Sequence, residues 1–195
     1  MLIAITGGIG SGKSFVCRKL AERGVQVYDC DKAAKRLMRS STTLQQELNR
    51  VVGTDVFPNG KLDKALLSKF IVSSDDNAQK IDAVVHPAVA RDFLDSGMEW
   101  LESAILFEAA FHARVHFDYI VCVSAPLEVR IQRVMKRDGI NRDKALGWIN
   151  RQIPQEEKVA QSDFIIENDG QEDRLDEQIG RLLEEINKIK SKQNN

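Results

Sequence analysis

Apolar positions follow two rhythms along this chain. Residues 2–6 form a short unbroken apolar run that stops at Gly7-Gly8, the length and ending of a buried central strand. From Lys13 to Arg23 the rhythm is helical, with Phe15, Val16, Leu20 and Ala21 on the apolar side, and Gly24 supplies a stop. Residues 25–28 read as a second strand, closed by Asp29-Cys30-Asp31. Strand character returns around residues 99–106, at 119–123 and at 164–166. Residues 126–158 are charged and helical. Residues 173–190 predict an amphipathic helix with Leu175, Ile179, Leu182, Leu183 and Ile186 inward, and residues 190–195 a polar tail that frays. Strands alternating with helices imply a mostly parallel sheet covered on both faces.

Residues 32–98 break that alternation. Helix-period positions such as Ala33, Leu37, Leu44, Leu48 and Val51, then Leu62, Leu66, Leu67 and Phe70, are interrupted by polar loops, among them Phe57-Pro58-Asn59-Gly60. Val84-Val85 is the one strand candidate, and it reads equally well as helix. The expectation is a helical insertion in a single domain, with the core at residues 1–31, 99–127 and 159–195 and a charged helical segment at 128–158.

Composition narrows the function classes. The 195 residues are 43% hydrophobic and 29% charged, and 28 basic against 29 acidic side chains leave a formal charge of −1. No global field favours nucleic acid or an anionic membrane. Cys17, Cys30 and Cys122 stand far apart with no CxxC pair, which argues against a disulfide framework or a zinc site and for a reducing compartment. The first apolar run is too short for a signal peptide, and no run approaches the ~18 apolar residues of a membrane span. The expectation is a cytoplasmic protein, favoured as a monomer, whose partners are small molecules.

Gly7-Gly8-Ile9-Gly10-Ser11-Gly12-Lys13-Ser14 matches G-x-x-x-x-G-K-[ST] at every fixed position, with a strand before it and a helix after it. Glycines let consecutive N–H groups turn inward around a phosphate. The helix that follows aims its positive end at the same anion. Lys13 supplies charge between the β- and γ-phosphates, and the Ser14 hydroxyl is a natural magnesium ligand. The motif implies a nucleoside triphosphate and Mg2+ and leaves open what is done with them.

Neighbouring residues sort the possibilities. A guanine-reading Asn-Lys-x-Asp is absent, since the sole Asn-Lys pair, Asn187-Lys188, is followed by Ile189-Lys190. The strand at 119–123 runs into Ser124-Ala125-Pro126 rather than the paired acids of a motor ATPase. Small-molecule kinases carry an acid after the second strand, a helical insert and an arginine-rich lid. Here Asp29 and Asp31 follow the second strand, at the edge where open α/β sheets bind ligands. A carboxylate there either accepts the proton of an attacking hydroxyl, holds a water on magnesium, or caps the helix beginning near Lys32. Arg130, Arg133 and Arg137 share one helical face, with Arg142 and Arg151 beyond. They either clamp phosphates or form a solvated face paired with Glu128, Asp138 and Asp143. His112 and His116 lack the Glu and third ligand of a metalloprotease site and read as surface or helix-end residues.

Together these segments resemble the dephospho-coenzyme A kinase family over nearly the whole length. The resemblance is carried by residues 5–14, by Asp29-Cys30-Asp31, by His86-Pro87-Ala88-Val89 and by Ala104-Ile105-Leu106-Phe107-Glu108. Arg133, Arg137-Asp138, Gln152, Ala160, Asp163 and Ile166-Glu167-Asn168 extend it through the lid and the strand after it. It implies a P-loop nucleoside triphosphate hydrolase-type three-layer α/β fold, with about five parallel strands, a helical acceptor-binding insertion at 32–98 and a lid at 128–158. It implies transfer of the γ-phosphate of ATP, with Mg2+, to the ribose 3′-hydroxyl of dephospho-coenzyme A; another metabolite or nucleoside monophosphate kinase is the alternative. By matching positions, Asp31, Lys13 and Arg137 would be catalytic. Gly8, Gly10, Ser11, Gly12, Lys13, Ser14, Phe15 and Asn168 would bind the nucleotide, with Asn168 near adenine, and Asp31, His86 and Glu108 would meet the acceptor. His86 is either that contact or a core histidine fixing a turn before Pro87, and Glu108 either buttresses the site or binds a lid arginine. Phe15, Lys64 and Ala104 depart from the family's Thr, Arg and Pro. Lys64 offers a point charge where Arg would offer a fork, and Ala104 leaves the local backbone path open.

Overall fold

The computed structural model describes residues 1–193. It divides into two units, one formed by Met1–Tyr28 with the chain from Met98 onward, the other by Asp29–Gly97. A five-stranded parallel sheet runs in the order β2-β3-β1-β4-β5. Its strands are β1 (Ile3–Thr6), β2 (Val27–Asp29), β3 (Trp100–Glu102), β4 (Tyr119–Ser124) and β5 (Phe164–Glu167). Ile5 lies opposite Glu102 on one side and Val121 on the other, so β1 is central and opens the phosphate loop mid-sheet. The fully buried Ile3-Ala4-Ile5-Thr6 run explains why no polar alternation marks this strand.

Helices α1 (Lys13–Glu22) and α10 (Glu172–Gln193) complete the main core, where Val16, Leu20, Leu175, Ile179, Leu182 and Ile186 pack with Ile3, Ile5, Val121 and Val123. The periodic apolar positions of the last helix are therefore inward, as the pattern predicts. The helix continues through residues 190–193, where the sequence suggests a fraying tail; the remainder of that tail, residues 194–195, lies outside the described residues.

β3 is shorter than the apolar stretch at 99–106 suggests. Beyond Glu102 the chain curls: the amides of Ala109, Ala110 and Phe111 bond back to the carbonyls of Ile105, Phe107 and Leu106. The apolar residues there serve a turn rather than a strand, with Leu106 buried and Ile105 exposed.

In the second unit, α2 (Cys30–Ser40), α3 (Thr42–Val52), α4 (Lys64–Ser73) and α5 (Asp75–Ser96) contain no strand among the described residues. Each has a side-chain cap, from Asp29, Ser41, Asp63 and Ser74 respectively. Such caps satisfy first-turn amides that the helix cannot. Pro87 sits inside α5, so the turn expected before it does not exist.

In the first unit, α7 (Leu127–Asp138), α8 (Arg142–Ile149) and α9 (Gln155–Ala160) fill residues 127–160, preceded by the short α6 (Phe111–Arg114). Ile131, Val134, Ala145 and Ile149 form a small core of their own between α7 and α8.

Candidate active site

The phosphate loop leaves β1 at Gly7 and enters α1 at Lys13. Gly12, the α1 N-cap, has φ +91° and offers no side-chain cap, and the first turn of α1 carries no acid. The four α-helices of the second unit are each capped by a side chain, whereas α1 keeps its positive end open for an anion. The loop's other glycines answer to close approach. A Cβ at Gly10 would lie 2.6 Å from the Arg130 carbonyl oxygen, and one at Gly12 would lie 2.1 Å from Asn168 Nδ2.

Lys13 is buried, and its Nζ donates to the carbonyls of Gly7 at 2.9 Å and Gly8 at 3.4 Å. Glu102 Oε1 is 4.0 Å from that ammonium. Sequence reading missed Glu102. It is the acid that ends the strand beside β1, and the apolar run after it draws the apparent strand end past it. The hydroxyls of Ser11 and Thr6 are buried with no hydrogen-bond partner. Ser14 is exposed at the start of α1. Phe15 packs against the core and lies under the Arg18 guanidinium and Lys19 ammonium, 5.3 and 5.5 Å from the ring centroid.

Two of the three arginines on α7 turn inward. Arg130 is 5% exposed and donates through Nε to the Ile9 carbonyl at 3.0 Å. Arg133 donates to the carbonyls of Ser11 and Asn168 at 3.2 Å and to Asn168 Oδ1 at 3.1 Å. Burial lowers the pKa of both, but a guanidinium stays charged throughout the range a protein tolerates. Asn168 Nδ2 closes the set on the Ser11 carbonyl at 2.9 Å. The outer arginines are engaged elsewhere: Arg137 is exposed and bonded to Asp138, and Arg142 makes a two-pronged pair with Glu128. Those ion pairs hold both carboxyls below their ordinary range.

Glu108 pairs with a lysine, not an arginine. Lys158 has no exposed side-chain surface, and its Nζ lies 2.7 Å from Glu108 Oε1 and 2.8 Å from the Ala104 carbonyl. Gln152 Nε2 reaches the same carbonyl at 3.3 Å, and the Ile153 amide donates to Glu108 Oε1. Ala104 thus serves through its backbone. Burial pushes the Cys122 thiol up to about 11, opposed by Lys158, Lys13 and Arg130; it is a buried, protonated strand residue rather than a nucleophile.

In the second unit, Asp29 accepts from the Lys32 amide at 2.9 Å and from Lys32 Nζ at 2.9 Å. Burial alone would raise its pKa, but the bonds from Lys32 outweigh it and the net shift is downward. Asp31 occupies the first turn of α2. His86 Nε2 lies 3.5 Å from Asp82 Oδ1 on α5. A groove of about 540 Å³ along α2, α3 and α5 presents Arg50 and Arg91 beside Leu37, Leu44 and Pro87. No helix among the described residues is long and apolar enough to cross a membrane.

The sequence model of dephospho-CoA kinase matches residues 1–174. The chain belongs to the dephospho-CoA kinase family. A dephospho-CoA kinase of Bacteroides fragilis is 38% identical over 203 residues, covering 99% of this chain and 98% of the relative. Another, from Thermus thermophilus, is 34% identical over 95% of this chain and 92% of its own length. A solved Thermus thermophilus structure superposes with a TM-score of 0.78 at 34% identity, over 95% of this chain and 97% of that one. An Acinetobacter baumannii shikimate kinase, at 16% identity and a TM-score of 0.55, over 96% of this chain and 93% of its own, shares the fold. The family's function is the final step of coenzyme A biosynthesis, and its kinase activity implies ATP as phosphate donor.

Proposed function

We propose that this protein moves the γ-phosphate of ATP, as its magnesium complex, to the ribose 3′-hydroxyl of dephospho-coenzyme A. The observation that carries the reading is the open positive end of α1, uncapped and free of first-turn acids, with Lys13 buried beside it. An orphaned Ser11 hydroxyl in the same loop fits a phosphate oxygen. For the metal, the Ser14 hydroxyl would be a direct ligand and Glu102 would hold its water shell. Among the described residues no cluster of three His, Cys, Asp or Glu could cage a metal, and a phosphate-bound magnesium takes most of its ligands from phosphate and water. The ion would offset charge on the β- and γ-oxygens.

The remaining roles follow from chemistry. Asp31 orients the acceptor hydroxyl and receives its proton as the new bond forms. Gly8, Gly10, Gly12 and Phe15 line the phosphates, and the turn that carries Asn168 lies near the adenine end. Arg137, exposed on α7, exchanges Asp138 for the transferring phosphoryl group when the 128–158 lid closes. His86 lies on the acceptor side, and Arg50 and Arg91 give an anionic acceptor two cations. The bond to Lys158 favours the buttressing role for Glu108. The reading keeps the enzyme in the cytoplasm, monomeric.

The test is a panel of acceptors with ATP and magnesium, followed by ADP release. Dephospho-coenzyme A is expected to drive turnover while AMP, CMP and shikimate do not; turnover with one of those three alone would overturn the reading.

A further inference from the structure

Every handle that Ile9 offers is held by the segment spanning residues 128–158. Its amide donates to Gln152 Oε1 at 2.6 Å, and its carbonyl accepts from Arg130 Nε at 3.0 Å. Its side chain packs against the small core of Ile131, Val134, Ala145 and Ile149 between α7 and α8. Arg130 lies near one end of that segment and Gln152 near the other, so a single loop residue is gripped from both sides. Gln152 is itself fixed, because its Nε2 donates to the Ala104 carbonyl, which also accepts from the fully buried Lys158.

The grip falls at a defined place on the nucleotide. Lys13 Nζ, the charge that reaches the β- and γ-phosphates, is bonded to the Gly7 and Gly8 carbonyls. In a bound nucleotide the limb ending at Ile9 would therefore border the terminal phosphate, and the α1 end of the loop would hold the inner ones. An amide taken by Gln152 is not a phosphate donor. Its bond instead sets where the limb lies.

We infer that Gln152 is a positioning residue for phosphoryl transfer: acting through the Ile9 peptide, it fixes the γ-phosphate limb of the loop and ties that limb to the lid. The inference rests on the proposed kinase reaction. Misplacing a reacting group by about 1 Å costs on the order of 10²-fold in rate even when binding persists. The signature is thus a fall in kcat with little change in nucleotide affinity.

The experiment compares wild type with Gln152→Met, which keeps the length but neither accepts nor donates, and Gln152→Glu, which still accepts from Ile9. Steady-state rates with ATP and dephospho-coenzyme A are measured beside ADP affinity, melting temperature and hydrogen exchange at the Ile9 amide. Gln152→Met is expected to lose roughly 10- to 100-fold in kcat, to change KM for ATP and Kd for ADP by less than about twofold, and to deprotect the Ile9 amide. Gln152→Glu is expected to keep that amide protected and to recover most of the lost kcat. Wild-type kcat in Gln152→Met would overturn the inference, as would Gln152→Glu failing as badly as Gln152→Met. If Gln152→Met does not fold, Gln152→Glu decides alone: a protected Ile9 amide with kcat within about threefold of wild type supports the assignment, and loss of either refutes it. Absence of turnover in the wild type would instead strike at the kinase reading, while the Ile9 exchange comparison would still decide whether Gln152 holds the loop.

Discussion

Asn168 and Arg133 are bonded to each other and to one carbonyl of the phosphate loop: Asn168 Nδ2 reaches the Ser11 oxygen at 2.9 Å, Arg133 Nη1 reaches it at 3.2 Å, and Arg133 Nη2 donates to Asn168 Oδ1 at 3.1 Å. The turn after β5 and the inner face of α7 therefore hold the loop from one side. Asn168→Ala leaves a half-buried guanidinium and a buried carbonyl each short of a partner, at a cost of about 1–3 kcal/mol. Urea unfolding is expected to show that loss with a weakened affinity for ATP. Gly12→Ala should be worse on both counts, since its Cβ meets Asn168 Nδ2 in a backbone region that disfavours alanine.

Lys13→Ala is expected to leave the fold intact and lower kcat/KM by about 10²–10³, the scale for losing one preorganised charge at a developing transition state. Circular dichroism and steady-state kinetics check both halves. A folded variant with wild-type kcat/KM would remove Lys13 from the phosphate site.

Asp29 and Asp31 separate cleanly. Asp29 is the α2 cap, so Asp29→Ala should cost about 1 kcal/mol of stability. Because the Lys32 bonds hold its folded-state pKa below the ordinary 3.8, that contribution is full above the unfolded-state pKa and disappears as pH falls through the folded one. Urea unfolding of wild type and Asp29→Ala should therefore differ at neutral pH and converge in strong acid. Asp31→Asn keeps the shape of the side chain and removes the proton acceptor. A fall in kcat of about 10²–10⁴ with ATP affinity nearly unchanged is expected. A larger kcat loss in Asp29→Asn than in Asp31→Asn would reverse the two roles.

Lys158 and Glu108 form a pair that is buried on the lysine side. Glu108→Ala strands the ammonium and should destabilise by about 3–5 kcal/mol, whereas the joint change with Lys158→Met should cost much less. Thermal denaturation of the two single variants and the double variant measures the coupling. Additive losses would mean the two groups do not act as a pair.

Much of this was legible in the sequence. The unbroken apolar runs mark the central strands β1 and β4, because the middle of a parallel sheet is buried on both faces and leaves no alternation to hide. The phosphate loop was legible because its glycines answer to close approach by Arg130 and Asn168, a requirement no other residue meets. Other features were not legible, for physical reasons. The residues after Glu102 are apolar because they pack in a turn, so β3 looked longer and the acid at its end was overlooked. A turn before Pro87 is one of the two roles the sequence leaves open for His86, yet α5 runs through Pro87 without one. Arg130, Arg133 and Arg137 share a helical face, but periodicity cannot tell a guanidinium bonded to the phosphate loop from one paired with Asp138 in solvent. The grip on Ile9 joins residues 121 and 143 positions apart in the chain, a distance that no local pattern records.

The central claim, that the ribose 3′-oxygen of dephospho-coenzyme A is the acceptor, is tested most directly by identifying the bond formed. Purified protein is incubated with ATP, magnesium and dephospho-coenzyme A, and the product is examined by phosphorus–proton correlation NMR. The account predicts a new phosphomonoester coupled to the ribose H3′, formed one for one with ADP. A phosphate coupled to any other ribose proton, or ADP released with inorganic phosphate and no modified acceptor, would contradict it.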